Sequence, residues 1–376
     1  MYSLLHLLLL LPPTLTTLTT ALLIPRQTPA TSQSCNSSPS LCSKPYSSIS
    51  HLGAHDSPFL TTTNNDQKGS GVLGTTLHLS SAGNQNIPST SQLDYGARLL
   101  SAQIHRKDSG ELHLCHSSCD LLDAGTLASW LGEIKGWLDK HPNDVVTLLL
   151  VNSDNVPTGD LATSFHTSGI DSYGFVPRTD GVWPTLQEMI TANKRLVVFV
   201  NAVAAAPDAA YLLNEFDYLF ENAYNVTTPT GFSCDIDRPT KALATAAPQG
   251  KLGLMNHMLY TSLYAFGQSI QTPTVSAAGT TNAQASLGQS ANDCKKAWGG
   301  GPTFLLVDFV DVGDGVKVID GMNGVGDTGG RAEAAKTTPA PSQASIYSGD
   351  ATAGKSKSAG IMGLAAGACA LLTMSC

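Results

Sequence analysis

Short, continuous apolar runs recur along the middle of the chain and alternate with segments that are apolar at helical spacing. Each run has the length of a strand, and a strand that is buried on both faces needs such an unbroken run. The clearest of them is Val145–Val151. The strand candidates are Ser47–Leu52, Ala97–Ile104, Leu112–Cys115, Val145–Val151, Leu196–Val200, Tyr218–Glu221, Leu252–Leu259 and Thr303–Phe309.

The clearest helix is predicted over Ala124–Lys140. Its apolar residues recur at steps of three and four, Asp123 can cap its first turn, and Pro142 ends it. Two further helices are predicted over Trp183–Asn193 and Ala283–Lys296, and each leads into a strand candidate. About eight strands with helices between them predict one α/β domain, a single closed (β/α)8 barrel of the TIM type, rather than two domains.

The amino-terminal end is predicted to lie outside the barrel. Residues 1–24 carry no charged side chain, and their apolar run is followed by prolines, which favours a secretory signal peptide over a buried helix. Residues 25–45 are rich in Ser, Pro and Thr and are interpreted as a linker. The barrel domain is therefore expected over residues 46–321.

The carboxyl-terminal end has the layout of a lipid-anchor signal. Residues 322–350 are rich in Gly, Ala, Thr and Pro and predict a flexible stalk. Small residues at Ser348–Asp350, a polar spacer and an uncharged tail make residues 351–376 a GPI-anchor signal. A carboxyl-terminal membrane helix is the alternative, but the tail is short and rich in Ala and Gly.

Composition narrows the class of protein. The net charge of −8 argues against a nucleic-acid-binding protein, which would normally carry a basic patch. We expect an extracellular monomer that is held at a membrane or cell wall by its GPI anchor. Sequons at Asn36 and Asn225 predict a glycosylated surface.

Secretion would place the cysteines in an oxidising compartment, where an even number favours disulfides. Two of the eight cysteines lie in the tail, which leaves six in the mature chain. Six cysteines allow several connectivities. The short sequence separations favour the pairs Cys35 with Cys42 and Cys115 with Cys119, which leaves Cys234 to pair with Cys294.

Polar residues recur where the predicted strands end, and the active groups of α/β barrels lie at the carboxyl ends of the strands. A lone histidine at such a position is more often a structural residue. Two histidines and two aspartates at matching strand ends favour acid–base chemistry, because an aspartate fixes the tautomer of a histidine that exchanges protons. The candidates are His55, Asp56, His116, Asn152, Asp154, Asn201 and Asp308.

The motifs around these residues resemble those of a known family. Ile49–Ser57 is similar to the Gly-x-His-Asp-Ser opening of the phosphatidylinositol-specific phospholipase C X domain. Gln92–Leu100 resembles its second-strand motif, and Leu112–His116 its third. Leu114–Asn155 is similar to fungal secreted members of the PLC-like phosphodiesterases. The resemblance covers about residues 45–320, and its specificity lies in the combination of motifs.

That resemblance implies a distorted TIM barrel and a two-histidine mechanism on an inositol phospholipid or a related phosphodiester. His55, oriented by Asp308, would take the proton from the inositol 2-hydroxyl as that oxygen attacks phosphorus. His116, with Asp56 as its partner, would protonate the leaving alkoxide. A cyclic inositol phosphate would form first, and water could open it later. The substrate-binding candidates are Gln103, Asn152, Asp154 and Asn201.

Gln103 departs from the family pattern. The metal-free bacterial members end the second strand with Asp-Ile-Arg, and that arginine stabilises charge on the phosphoryl oxygens, whereas this chain has Ser101-Ala102-Gln103. Calcium-dependent members place acidic ligands at the strand ends. The corresponding positions here hold Asp56, Ser101, Gln103 and Asn152, which supply too little charge for calcium. No cofactor or metal is therefore expected.

Two hypotheses follow from this departure. The first is an enzyme whose turnover is slow because the phosphate-binding arginine is missing. The second is a barrel without significant catalysis that binds a lipid or glycan at the cell surface. Arg106 and Lys107 could replace the missing cation, although exposed loop cations are usually only solvated.

Overall fold

The computed structural model describes residues 34–61, 83–240, 250–265, 268–326 and 328–332. The predicted signal peptide and GPI signal lie outside the described residues, as does most of the predicted stalk. Among the helices of the described residues, none has the length and apolar character that crossing a bilayer requires.

The described residues form strands, α-helices and several shorter helical turns. The strands are β1 (His51–Ala54), β2 (Leu99–Arg106), β3 (Leu112–Cys115), β4 (Asp123–Thr126), β5 (Val146–Asn152), β6 (Leu196–Val200), β7 (Leu212–Asn214), β8 (Leu219–Asn222), β9 (Ile236–Arg238), β10 (Leu252–Asn256), β11 (Tyr260–Ala265), β12 (Gln268–Pro273) and β13 (Phe304–Val307). The α-helices are α1 (Ser89–Tyr95), α2 (Leu127–Lys140), α3 (Thr158–Ser168), α4 (Leu186–Thr191), α5 (Glu215–Tyr218), α6 (Ala278–Thr281), α7 (Gln289–Trp298) and α8 (Gly315–Asn323). Short 3-10 helices occur at Pro39–Leu41, Tyr46–Ser48, Ile170–Tyr173, Pro207–Ala209 and Val275–Ala277, and a π-helical turn at Gln284–Gly288 precedes α7.

Parallel strands form one curled sheet in the order β7-β6-β5-β2-β1-β13-β10-β8. The prediction of an α/β barrel is confirmed, but the expected closure is not observed, because β7 and β8 do not pair within the described part of the chain. Only the four-residue helix α5 joins these two strands. Parallel neighbours need a crossover of about a dozen residues, so this connection cannot close the barrel.

Side chains alternate between two apolar layers along each strand. On β2, Leu99 packs into the barrel interior with Phe199 and Phe304. Its neighbour Leu100 packs outward into the layer that also contains Trp130 of α2. Because successive strand residues face opposite sides, Ser101 and Gln103 share the inward face of Leu99 and lie at the carboxyl-terminal mouth of the barrel.

The third predicted strand has a different role from the one expected. β3 pairs antiparallel with the end of β2 and with β4, so it belongs to an appended hairpin and not to the parallel barrel. The sequence prediction missed β7, which is only three residues long. β2 continues beyond the mouth to Arg106, and β3 returns toward the mouth with His116 directly after it.

The predicted helix over Ala124–Lys140 begins later than expected. The residues before Leu127 belong to β4, and α2 is capped by Thr126, whose side chain accepts the Ser129 N–H. Asp123 is not the cap: its carboxylate accepts bonds from the His113 ring and from Lys107 instead. The helices predicted over Trp183–Asn193 and Ala283–Lys296 are observed as the shorter α4 and as the π-turn followed by α7.

Residues on both sides of the predicted domain, residues 46–321, pack against it, and the boundaries themselves stay a prediction. Cys35 and Leu41, which were assigned to the linker, are buried in the inner apolar layer. Asn323, which was assigned to the stalk, is buried and exchanges hydrogen bonds with the backbone of Ser50. Composition alone missed these segments because their few apolar residues are surrounded by Ser, Pro and Gly.

The three predicted disulfides are confirmed. Cys35 pairs with Cys42, Cys115 with Cys119, and Cys234 with Cys294.

The two sequons differ in accessibility. Asn225 is exposed, whereas Asn36 is only 4% exposed and accepts the Val145 N–H through its side-chain oxygen. A glycan on Asn36 is therefore incompatible with this packing.

Candidate active site

Four residues at the mouth adopt a backbone conformation that non-glycine residues rarely take. The φ angles are 46° at Asp56, 60° at Ser117, 53° at Asn155 and 50° at Phe309. These residues follow closely on β1, β3, β5 and β13. Left-handed non-glycine residues cost free energy and cluster at functional sites, where the surrounding structure holds them in place. The backbone thus marks the mouth as a candidate site before any side chain is considered.

His55 and Asp308 form the first side-chain pair at the mouth. The His55 Nδ1 atom lies 2.9 Å from Asp308 Oδ1, so the ring donates through Nδ1 and turns Nε2 toward the other side of the mouth. Asn84 donates from Nδ2 to the same Asp308 oxygen at 3.0 Å. The carboxylate is thereby fixed from two sides, and it fixes the orientation of the His55 ring.

Asp56 lies between the two histidines. Its Oδ2 atom is 3.5 Å from His116 Nε2 and 3.6 Å from His55 Nε2. Gln103 Nε2 donates to that same oxygen at 2.7 Å. With side chains that are 18% and 12% exposed, His55 and His116 are both reachable from the solvent. One carboxylate oxygen therefore faces both ring nitrogens that could exchange protons with a ligand.

The two histidines have pKa values that are shifted in opposite directions. Burial alone would lower the pKa of His55, but the charges of Asp56 and Asp308 and the Nδ1 hydrogen bond raise the pKa to about 9. Burial lowers the pKa of His116, and the attraction of Asp56 offsets this only in part because His55 opposes it. Near neutral pH the free protein therefore holds a proton on His55 and leaves His116 neutral. Opposed shifts of this kind are characteristic of acid–base pairs.

Sequence comparisons identify the family of this fold and site. A sequence model of the PI-PLC X domain matches residues 41–323. The chain belongs to the PI-PLC X domain family. Over 298 residues it is 39% identical to the PI-PLC X domain-containing protein 1 of the fungus Arthroderma benhamiae, and the match covers 77% of this chain and 90% of that protein.

Two other proteins extend the comparison. An uncharacterized secreted protein of the same fungus is 34% identical, with 76% of this chain and 62% of that protein covered. A mutant of the phosphatidylinositol-specific phospholipase C of Staphylococcus aureus aligns with a TM-score of 0.50 at 15% identity, covering 76% of this chain and 93% of that one. At this identity the structural likeness shows only that the PI-PLC X domain shares the fold of that enzyme.

The PI-PLC X domain brings together five of the candidate site residues that the sequence predicted. His55, Asp56, Gln103, His116 and Asp308 lie within hydrogen-bonding or ion-pairing distance of one another, directly or through one neighbour. Their roles in catalysis or binding remain predictions. The geometry nevertheless matches the two pairs that the resemblance implied, His55 with Asp308 and His116 with Asp56.

The other three candidates lie apart from this group. Asn152 is 2% exposed and uses its amide to hold the loop after β5, donating to the Val156 and Ala202 carbonyls. Asn152 thus braces that loop, and its role in substrate binding stays a prediction. Asn201 accepts the Asn152 N–H, and Asp154 accepts from His105 and from the Arg106 N–H at the exposed end of β2. Roles for Asn201 and Asp154 in substrate binding remain predictions.

The two cations that could replace the missing arginine are both engaged elsewhere. Arg106 pairs with Asp160, and Lys107 pairs with Asp123 at 2.9 Å. The Lys107 pair lies within the appended hairpin, whereas the Arg106 pair joins the end of β2 to α3. Among the described residues at the mouth, the positive charge that a ligand between the two histidines would meet is therefore the protonated ring of His55.

Asn84 and Phe59 are site residues that the sequence analysis missed. Asn84 is fully buried against the His55–Asp308 pair, and Phe59 packs its ring edge-on to His116 with the centroids 5.3 Å apart. Asn84 is 224 positions from Asp308 and belongs to no periodic element, so no sequence signal could have joined them.

A cavity of about 710 Å³ lies at the opposite end of the barrel, where Lys251 and Thr303 precede β10 and β13. Trp183 and Trp298 also line it, and none of the mouth residues does. The two histidines and this cavity thus lie at opposite ends of the strands.

We expect an NMR titration of the histidine rings to show a pKa of about 9 for His55. Because this value is raised above 6.5, the stability that His55 contributes is fully present below pH 6.5 and is lost as the pH rises through about 9. Asp56→Asn should lower the pKa values of both His55 and His116. A His55 ring that titrates at or below 6.5 would contradict the charge arrangement described above.

Proposed function

We propose that this PI-PLC X domain cleaves an inositol phospholipid, or a related phosphodiester, by acid–base catalysis with His55 and His116. The observation that carries the proposal is the pair of ring Nε2 atoms that face one Asp56 oxygen, at 3.6 Å and 3.5 Å. The two rings share Asp56, His55 also has Asp308 at its Nδ1 atom, and both rings are accessible from the solvent. Such an arrangement suits a reaction that removes one proton and supplies another in the same step.

The proposed first step forms a cyclic phosphodiester. His55 Nε2 takes the proton of the inositol 2-hydroxyl while that oxygen bonds to phosphorus. The bond from phosphorus to the diacylglycerol oxygen breaks, and His116 donates a proton to that oxygen. In the second step, water gives a proton to His116 and attacks phosphorus, the bond from phosphorus to the 2-oxygen breaks, and His55 returns its proton to that oxygen.

The resting protonation state makes the first step slow. Cyclisation needs a neutral His55 and a protonated His116, whereas the opposed pKa shifts favour the reverse distribution. Between the two macroscopic pKa values, one proton is shared by the pair, and the productive arrangement is the minor one. Asp56 faces both Nε2 atoms, so its charge stabilises the proton on either ring.

Phosphorus NMR of the purified protein with vesicles of phosphatidylinositol tests this proposal. We expect a cyclic inositol phosphate to form first, with the open phosphate monoester appearing later. The reaction should proceed in the presence of a chelator. Absence of both products would overturn the enzymatic proposal.

The alternative is a binding module, and one observation favours it. Arg106 and Lys107 are paired with carboxylates, so the described mouth offers a phosphate no guanidinium or ammonium group. Retention on phosphatidylinositol vesicles without turnover in the same NMR experiment would establish this second function.

We also propose that the protein acts outside the cell and is held there by a GPI anchor. The three disulfides support an oxidising compartment, and a relative of this chain is named a secreted protein. The anchor rests on the sequence of residues 351–376 alone. Mass spectrometry of the mature protein tests it, since a chain that retains Cys376 would rule out the anchor.

A further inference from the structure

Gln103 makes two hydrogen bonds at the mouth, one with each end of its side-chain amide. Its Nε2 donates to Asp56 Oδ2 at 2.7 Å, and its Oε1 accepts the Ser117 N–H at 3.0 Å. Ser117 directly follows His116, and the same Asp56 oxygen faces the His116 ring at 3.5 Å. A single side chain thus connects the carboxylate of this pair to the loop that carries its histidine.

The loop of His116 needs such a connection because of where it comes from. β3 pairs only with β2 and β4, so this loop is not held by the parallel ladder that fixes His55 and Asp308. The Cys115–Cys119 disulfide closes the loop on itself without attaching it to the barrel. Gln103 stands on β2, a barrel strand, and its bond to the Ser117 N–H attaches the loop to the mouth beyond the point where the β2–β3 pairing ends.

The chemistry of the amide explains why this position is filled by glutamine. The side chain must accept from a backbone N–H and donate to a carboxylate. Arginine has no acceptor, and an ionised glutamate has no donor, so neither could make both bonds. Glutamine makes both without adding a charge beside Asp56.

We propose that Gln103 is a positioning residue for His116 and does not act as a neutral substitute for a phosphate-binding arginine. It holds Asp56 and the loop of His116 at the separation in which the carboxylate faces the ring. This inference rests on the proposed function, in which His116 protonates the leaving oxygen. The charged groups that act on the His116 ring are Asp56, His55 and Asp308, and Gln103 fixes the closest of them.

The test compares two inositol phosphodiesters that differ in their leaving group, one an alkoxide and the other p-nitrophenolate. An alkoxide needs a proton from His116 to leave, whereas p-nitrophenolate is stable without one. Gln103→Met removes both hydrogen bonds at similar volume. We expect it to lower kcat on the alkyl substrate by about 10²-fold, with kcat on the aryl substrate and both KM values within about threefold of wild type.

Two further variants separate the contacts. Gln103→Glu keeps the acceptor for the Ser117 N–H but replaces the donation to Asp56 with a second carboxylate that repels it, so it should show the same dependence on the leaving group. Gln103→Arg loses the acceptor and pairs with Asp56, so it should slow the alkyl substrate. Gln289→Met, at an exposed glutamine that bonds Asp293 on α7, is the matched control and should leave both rates unchanged.

Three results would overturn the inference. The first is an equal loss of kcat on both substrates in Gln103→Met, and the second is a raised KM as the main effect of that variant. The third is faster cleavage of both substrates by Gln103→Arg. His116→Ala provides the reference, because it should show the same leaving-group dependence more strongly. If His116→Ala affects neither substrate, the two-histidine function itself fails. If His116→Ala shows the dependence and the Gln103 variants do not, only the role of Gln103 fails.

Discussion

His55→Ala is expected to lower kcat for cleavage of phosphatidylinositol by about 10³-fold or more. General acid–base catalysis by a positioned side chain contributes about 10²–10⁴-fold, and His55 is the better positioned of the two rings. Its Nδ1 is fixed at 2.9 Å from Asp308, which is itself held by Asn84. An alanine removes the ring whose Nε2 would take the proton of the attacking hydroxyl. Initial rates of cyclic phosphate formation measure the effect.

Two further variants make this result specific. His166→Ala removes a histidine whose side chain is 86% exposed on α3, and it should leave the rate unchanged. The double variant His55→Ala/His116→Ala should be scarcely slower than the slower single variant, because the two residues act in one step and their losses do not add. Wild-type activity in His55→Ala would show that the two-histidine mechanism is wrong.

Removing the Cys115–Cys119 disulfide by Cys115→Ser/Cys119→Ser is expected to affect activity more than stability. The closed loop is short, with a sequence separation of 4, so the loss in free energy of unfolding should be about 2 kcal/mol. His116 lies inside this loop, and a looser loop holds its ring less well against Asp56. We expect kcat to fall by about 10-fold or more, measured at a temperature where the variant is fully folded.

The Cys234–Cys294 disulfide provides the opposite case. Its sequence separation is 60, so Cys234→Ser/Cys294→Ser should cost more stability, about 4 kcal/mol. Cys294 lies on α7, away from the histidines, and the activity of each folded molecule should be retained. Thermal unfolding and single-turnover rates on the same samples give both quantities. If the two double variants lose activity in proportion to their stability, the disulfide of the His116 loop has no separate role in catalysis.

The sequence predicted the parts of the fold that depend on local pattern. The apolar pattern predicts strands β5 and β6 and helix α2. Both faces of these strands are buried, which gives continuous apolar runs, and one face of the helix is buried, which gives apolar steps of three and four. Pairing is not a local property. Leu112–Cys115 has the composition of a barrel strand, but it pairs antiparallel with β2, and only the three-dimensional arrangement shows this.

The candidate site divides in a similar way. His55 and Asp308 could be predicted, because each follows a strand of a parallel sheet and the carboxyl ends of such strands meet at one edge. The contact of Asn84 with Asp308 could not, since it joins a residue outside any regular element to one that is 224 positions away. Gln103 was identified by its position, but its bond to Ser117 depends on a loop that returns from outside the barrel.

The gap between β7 and β8 affects what sets the width of the mouth. In a barrel that closes on itself, the number of strands and their stagger fix the diameter through the hydrogen-bond ladder. Within the described residues, the ladder ends at β7 on one side and at β9 on the other. The spacing across the gap is therefore governed by side-chain packing and not by backbone registry. Substitutions along the gap can therefore change the width of the mouth. The strands that precede the two histidines keep their register through such changes.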